Sequence, residues 1–186
     1  MTKQYKVAVV IGSIRKESYS RKLGKALIGL KPADFTLDFV EIDDLPLYNE
    51  DLETANPPKE WTRFRDEMKT VDAIIFITPE YNRSIPGVMK NAIDVGSRPY
   101  GQGIWNGKPA IIISISQGAL GGFGANHQLR QALVFNDVLT MQQPEAYIGH
   151  IQNIVTDDGQ AVNDDSKTFL TNILQAFDGW VRRLVK

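Results

Sequence analysis

The sequence contains no cysteine among its 186 residues. Disulfide bonds, thiol catalysis, iron–sulfur clusters and cysteine-ligated zinc are therefore excluded, and any redox chemistry must come from a bound cofactor. A dominant charge is missing as well, because 21 Lys and Arg residues against 22 Asp and Glu residues leave a net charge of −1. This balance argues against a nucleic-acid or membrane-surface role, since both require a basic face.

The sequence also lacks any apolar run near the ~18 residues of a membrane helix, and its first residues do not resemble a signal peptide. We therefore expect a cytoplasmic protein. The acidic residues match no metal-loop spacing, so we expect no metal site. With 42% hydrophobic and 23% charged residues, the composition is typical of a globular protein, and the length predicts a single domain over residues 1–186.

Apolar runs rich in β-branched residues predict five strands, which lie at 7–11, 35–42, 71–78, 110–115 and 138–141, with 146–148 as a candidate extension of the last. Helical periodicities follow them, beginning near Leu23, Trp61, Val88, Leu129 and Phe169. This alternation predicts an α/β fold with a parallel sheet and helices on both faces. Five strands with a polar loop after the first fit a flavodoxin-like three-layer sandwich of strand order 2-1-3-4-5.

The loop after the first strand, residues 12–20 (the first loop), carries the clearest chemical signal. It joins a buried strand to the start of a helix and contains Ser13, Arg15, Ser18 and Ser20. Free N–H groups at a helix N-terminus attract anions, serine hydroxyls can donate, and the arginine fork matches two phosphate oxygens. The alternative is a plain turn in which the serines only cap the first helix.

Two absences narrow the kind of phosphate that the first loop would bind. The sequence has neither G-x-x-x-x-G-K-[ST] nor G-x-G-x-x-G, so neither a nucleoside triphosphate on a P-loop nor a dinucleotide pyrophosphate is expected there. A hydroxyl-rich loop with one arginine suits a terminal phosphate monoester.

Two further loops should meet the first at the carboxyl edge of the sheet. The second loop, residues 79–87, has two stiffening prolines together with Tyr81 and Asn82, which suit a flat heteroaromatic ring. The third loop, residues 116–124, contains four glycines, which allow a backbone to approach a ring closely. The alternatives are an aromatic plug for the second loop and a flexible surface loop for the third.

Four segments together resemble the NADPH-dependent FMN reductase family, and within it the bacterial quinone and chromate reductases. They are G-S-I-R-K-E-S-Y-S at 12–20, P-E-Y-N-R-S-I-P-G at 79–87, K-N-A-I-D at 90–94 and S-Q-G-A-L-G-G at 116–122. The resemblance implies a flavodoxin-like fold, non-covalently bound FMN, NADPH or NADH as reductant, and a homodimer or homotetramer. It also implies ping-pong hydride transfer through flavin N5 to quinones, with chromate, azo or nitro compounds and free flavin as other acceptors.

The same motifs imply where the cofactor would lie. The phosphate would be held by Ser13, Arg15, Ser18, Tyr19 and Ser20. The isoalloxazine would be flanked by Pro79, Glu80, Tyr81 and Asn82, and closed on its far side by Ser116 and Gly118. Ser20 departs from the Asn that the family often has. Arg83 could attract an anionic acceptor or the nicotinamide phosphate, or could be a surface cation. No side chain is assigned as a catalyst, because the flavin carries the chemistry.

Two other functions compete with this one. Residues 114–118 approximate the G-x-S-x-G elbow of a serine hydrolase, with Ser116 as nucleophile and His127 or His150 as base, but Ser114 replaces the first glycine. A non-enzymatic FMN electron carrier is the second alternative. Such carriers usually have a strongly acidic face, which a net charge of −1 does not indicate.

Overall fold

The computed structural model of the chain describes residues 3–186. The strands are β1 (Tyr5–Ile11), β2 (Phe35–Val40), β3 (Ala73–Pro79), β4 (Pro109–Ile115), β5 (Leu139–Thr140) and β6 (Ala146–Ile148). The α-helices are α1 (Tyr19–Leu30), α2 (Lys59–Lys69), α3 (Gly87–Gly96), α4 (Phe123–Val134) and α5 (Asp164–Leu184). Short 3₁₀ turns lie at Glu50–Leu52 and Ile151–Asn153. Strands and helices alternate, as predicted.

The sheet has the order β2-β1-β3-β4-β5, and every strand pair in it is parallel. This confirms the flavodoxin-like order. The fifth predicted strand and its candidate extension form two separate strands on the same side of β4. The first residues of β4 pair with β5, and its last residues pair with β6. Pro144, which has no N–H to donate to a sheet, lies between these two strands.

The core has two halves because side chains on each strand alternate between the faces of the sheet. On β1, Val7, Val9 and Ile11 pack with helices α1 and α5, whereas Ala8 and Val10 pack with α2, α3 and α4. Burial on both faces explains why the sequences of the central strands are almost continuously apolar. It also fixes the register in which the ends of β1, β3 and β4 meet at one edge.

The ends of two strands differ from the prediction. The second strand ends at Val40 rather than at residue 42, and the carbonyl of the next residue, Glu41, accepts a hydrogen bond from Arg63 Nη2 (3.0 Å). The third strand begins at Ala73 rather than at residue 71, and just before it the Asp72 carboxylate accepts from the backbone N–H of Lys6 (2.8 Å). Side chains from distant parts of the sequence therefore bond to the backbone at both of these strand ends.

No helix within residues 3–186 is both long enough and apolar enough to cross a membrane. The cytoplasmic location expected from the sequence stays a prediction.

Candidate active site

A cavity of about 200 Å³ lies at the edge of the sheet where β1, β3 and β4 end. Nine of the eleven residues expected to hold the cofactor line it: Ser13, Arg15, Ser18, Tyr19, Ser20, Pro79, Glu80, Tyr81 and Ser116. Asn82, Gly118 and Arg83 lie in the same loops but are not part of its wall. The topology thus brings the three loops together, and the binding role of each residue stays a prediction.

One end of the cavity is lined by hydroxyl groups that the fold has removed from water. Ser13, Ser18 and Ser20 are all buried, and Ser20 is only 1% exposed. The Ser20 hydroxyl has no hydrogen-bond partner in residues 3–186. Because buried polar groups are nearly always paired, this hydroxyl in the cavity wall is a donor that is available to a ligand.

Ser18 combines the capping role with a free donor. It precedes α1, and its Oγ accepts a hydrogen bond from the backbone N–H of Arg21 (3.2 Å). Ser18 therefore caps the first helix through its oxygen, as the alternative interpretation of the loop expects. Its O–H remains able to donate to an anion, and the N–H groups of Tyr19 and Ser20 precede the first helical hydrogen bonds.

A buried lysine lies beside Tyr19, which lines this end of the cavity. Lys22 Nζ lies 4.9 Å from the centroid of the Tyr19 ring and 2.5 Å from Asp157 Oδ1. The hydrogen bond to Asp157 raises the pKa of Lys22, and the Asp157 carboxylate neutralises much of the lysine's charge. Arg15 is exposed at the rim, and together with the dipole of α1 it favours an anionic ligand.

The second loop folds back into a tight turn beside the cavity. The N–H of Tyr81 donates to the carbonyl of Ser84, and the N–H of Ser84 donates back to Tyr81 (both 2.9 Å). Asn82 and Arg83, at the tip of the turn, have φ values of 52° and 63°. Tyr81 is 50% exposed, so its ring offers an open apolar surface at the cavity wall.

Arg83 is paired within the second loop. Its Nη1 lies 2.9 Å from Glu80 Oε1, and its side chain is 74% exposed. Glu80 is largely buried, and its other carboxylate oxygen accepts from the backbone N–H of Ala125 (3.1 Å). Both oxygens of the Glu80 carboxylate are therefore bonded to protein groups, although Glu80 is a residue that we expect to lie beside the flavin ring.

The glycines of the third loop mostly serve the packing of the chain itself. Gly121 has φ 61°, and a Cβ there would lie 2.5 Å from the carbonyl carbon of Tyr147. Gly122 also has a positive φ. Of the four glycines, Gly118 alone has open space where a Cβ would be. The third loop is thus packed against β6, which is not the arrangement of a flexible surface loop.

Ser116 has no histidine near enough to activate it. Its Oγ donates to the carbonyl of Gly118 (2.7 Å) and accepts from the N–H of Gly121 (3.1 Å). His127 Nε2 lies 3.1 Å from the hydroxyl of Tyr147, and no hydrogen bond joins His150 to Ser116 within residues 3–186. A catalytic serine requires a base within hydrogen-bond reach, so the geometry gives the hydrolase alternative no support.

The cavity wall includes three residues that sequence reasoning did not assign: Ile115, Gln117 and Ile151. The first two border Ser116, since Ile115 ends β4 and Gln117 lies in the third loop, and this adjacency could have revealed them. Ile151 follows β6, and only the pairing of β6 with the end of β4 brings it to this edge. In the described part of the chain, no cluster of acidic or histidine side chains is arranged to hold a metal ion.

Comparisons with known proteins agree with this geometry. The family model described as NADPH-dependent FMN reductase matches residues 5–153. A quinone reductase of Pseudomonas putida is 56% identical, over 98% of this chain and 97% of that protein. A 2-hydroxy-1,4-benzoquinone reductase of a Burkholderia species is 42% identical, over 95% and 96% of the two chains. The solved structure of FerB, a flavoenzyme NAD(P)H:(acceptor) oxidoreductase from Paracoccus denitrificans, matches with a TM-score of 0.89 and 40% identity, over 97% of this chain and 98% of that one.

Proposed function

The chain belongs to the NADPH-dependent FMN reductase family, and we propose that its cavity binds FMN with the phosphate at the first loop and the ring between the second and third loops. The protein is an FMN-dependent oxidoreductase that takes NADPH or NADH as reductant and reduces quinones. When bound, FMN supplies the chemistry by accepting a hydride from the nicotinamide and passing two electrons to the acceptor.

The unpartnered hydroxyl of Ser20 is the single observation that supports the phosphate assignment most strongly. Its burial without a partner is costly unless a ligand completes the hydrogen bond. A phosphate monoester carries three acceptor oxygens, enough to receive bonds from Ser13, Ser18 and Ser20. Arg15 at the rim would supply a charged donor. The chemistry of this donor set therefore fits the phosphate of FMN.

The ring would lie where the cavity is lined by the second and third loops. Pro79 and Tyr81 offer apolar surface there, and Ser116 is part of the same cavity wall. In residues 3–186 the N–H groups of Asn82 and Arg83 have no hydrogen-bond acceptor, so they are the donors that remain available in the turn. We infer that they stabilise negative charge that develops on the ring.

Quinones suit this cavity because they are flat and the Tyr81 ring is half exposed at its wall. We propose chromate, azo and nitro compounds and free flavin as further acceptors to be assayed. Arg83 remains a candidate contact for anionic acceptors. Its attraction for them is reduced by the ion pair with Glu80, which neutralises much of its charge.

We also infer one folding unit over residues 1–186, since both halves of the core pack on the same sheet. A homodimer or homotetramer is the assembly that we propose. It is supported by the large exposed side chains of Tyr100, Val134 and Phe135, two of which line one surface groove. Exposed apolar patches of this kind commonly mark subunit contacts.

Steady-state kinetics test the proposed function. Apoprotein reconstituted with FMN should oxidise NADPH or NADH in the presence of a benzoquinone, and initial rates at several quinone concentrations should give the parallel double-reciprocal lines of a ping-pong reaction. Apoprotein without flavin is the control. Equal nicotinamide oxidation with and without FMN would contradict the proposal. Tight FMN binding without turnover of any acceptor would favour the electron carrier.

A further inference from the structure

Glu80 lines the cavity, and each oxygen of its carboxylate is bonded to a protein group. Oε1 lies 2.9 Å from Arg83 Nη1, and Oε2 accepts from the N–H of Ala125 at 3.1 Å. Its side chain is only 12% exposed. The bond from the N–H of Ala125 ties the second loop to the first turn of α4.

The turn that Glu80 ties down has an unusual backbone. Asn82 and Arg83 both have positive φ, a region that is tolerated by asparagine but uncommon for arginine. Such a conformation persists only where surrounding contacts impose it. The ion pair to Glu80 is one such contact, and a hydrogen bond from Gln128 Nε2 to the carbonyl of Arg83 (3.2 Å) is another.

The close approach of the turn to α4 depends on a glycine. A Cβ at Gly124 would lie 2.9 Å from the carbonyl oxygen of Arg83 and 3.0 Å from Glu80 Oε2. The distance to the backbone oxygen of Arg83 is too short for a real Cβ, and the distance to Glu80 Oε2 is tighter than most real Cβ contacts, so any side chain there would push the second loop away from the helix. One contact between the second loop and α4 is therefore supported by three features: the hydrogen bonds of Glu80, the positive φ values of the turn, and the lack of a side chain at Gly124.

We propose that Glu80 is a positioning residue, which holds the second loop against α4 so that Tyr81 and the free N–H groups of the turn are ordered before the flavin ring binds. This inference rests on the proposed function, because it assigns the second loop to the ring. It adds a role for the side chain to the expectation that Glu80 flanks the ring. A loop that is ordered beforehand binds more tightly because less conformational entropy is lost on binding.

The first test removes, in separate variants, each partner of the ion pair between Glu80 and Arg83. Glu80→Gln and Arg83→Ala should each weaken binding of FMN and of riboflavin by about fivefold, the upper range for a partly exposed ion pair. The double variant should be little weaker than either single one, because both remove the same contact. Arg83→Lys, which keeps the charge, should restore wild-type affinity. Asp94→Asn, which breaks an exposed ion pair on α3, is the control.

Riboflavin distinguishes this role from one at the phosphate. A loss of affinity for FMN alone would place Glu80 at the phosphate end and overturn the inference. Unchanged affinity for both flavins in Glu80→Gln and Arg83→Ala would overturn it as well, as would a failure of Arg83→Lys to restore binding. A wild-type protein that binds neither flavin would overturn the proposed function itself, so the two failures are distinguishable.

The second test uses the glycine and leaves both charges in place. Gly124→Ala should weaken binding of both flavins by roughly tenfold. Its matched control is Gly179→Ala, since Gly179 also lies in a helix, outside the three loops, and has nothing within 4 Å of the added Cβ. Urea unfolding of the apoproteins shows whether each variant folds. Equal flavin affinities in the two glycine variants would contradict the role assigned to the contact.

Discussion

Replacing Ser20 with alanine should move the stability of the apoprotein and its affinity for FMN in opposite directions. The Ser20 hydroxyl is buried without a partner, and an unsatisfied buried polar group costs about 1–3 kcal/mol. Alanine removes that cost, and within a helix it is also more favourable than serine by roughly 0.5 kcal/mol. We therefore expect the free energy of unfolding of apo Ser20→Ala to exceed that of the wild type by about 1 kcal/mol or more.

The affinity for FMN should fall in the same variant. A hydrogen bond to a charged group contributes about 1.5–3 kcal/mol, which corresponds to roughly 10- to 150-fold in the dissociation constant. Riboflavin has no phosphate, so its affinity should stay within about twofold of the wild-type value. Quenching of flavin fluorescence on titration with apoprotein measures both constants, and urea unfolding of the apoprotein measures stability.

Ser18→Ala is the matched control, because Ser18 lies two residues away but caps α1. Loss of a cap costs about 0.5–2 kcal/mol. This variant should therefore weaken FMN binding and destabilise the apoprotein, whereas Ser20→Ala should stabilise it. A less stable apo Ser20→Ala, or equal losses of FMN and riboflavin affinity, would refute the assignment of this hydroxyl to a phosphate.

Three further predictions concern other parts of the site and the stability of the fold. Arg15→Ala should weaken FMN binding at least tenfold more than Lys16→Ala does, and equal effects in fluorescence titrations would remove Arg15 from the phosphate site. Tyr81→Ala should raise the KM for a quinone or loosen FMN by several-fold, and unchanged kinetics and affinity would place the second loop outside the site. The hydrogen bonds from Arg21 lower the pKa of Glu41, so their stabilisation is present above the ordinary Glu pKa of about 4.3 and is lost as pH falls through the lowered value. Urea unfolding between pH 7 and pH 3 should then show a shallower loss of stability in Arg21→Ala than in the wild type, and identical pH profiles would contradict this linkage.

The arrangement of the sheet was predictable because burial on both faces leaves a strong signal. Runs such as residues 71–78 and 110–115 are almost continuously apolar, and parallel strands joined by helices place their carboxyl ends together. The convergence of three loops at one edge followed from this topology alone. For the same reason, most of the residues expected near the cofactor were found in one cavity wall.

Contacts between residues distant in sequence were not predictable, since they leave no local pattern. Glu80 lines the cavity as expected, but the bond between its carboxylate and the N–H of Ala125, 45 residues away, has no local sequence signal. The third-loop glycines were attributed to a close approach of a ligand, whereas Gly121 and Gly124 are required by packing against the chain itself. Ile151 escapes the prediction because residues 146–148 are expected only to extend the fifth strand, whereas they form a separate strand beside the end of β4.

The absorbance spectrum of the protein under anaerobic conditions tests the central claim most directly. Apoprotein mixed with FMN and freed of excess ligand should retain a flavin spectrum, which should bleach on addition of NADPH or NADH and recover when a benzoquinone is added. The account would be contradicted by a protein that retains no FMN, or by bound FMN that neither nicotinamide bleaches.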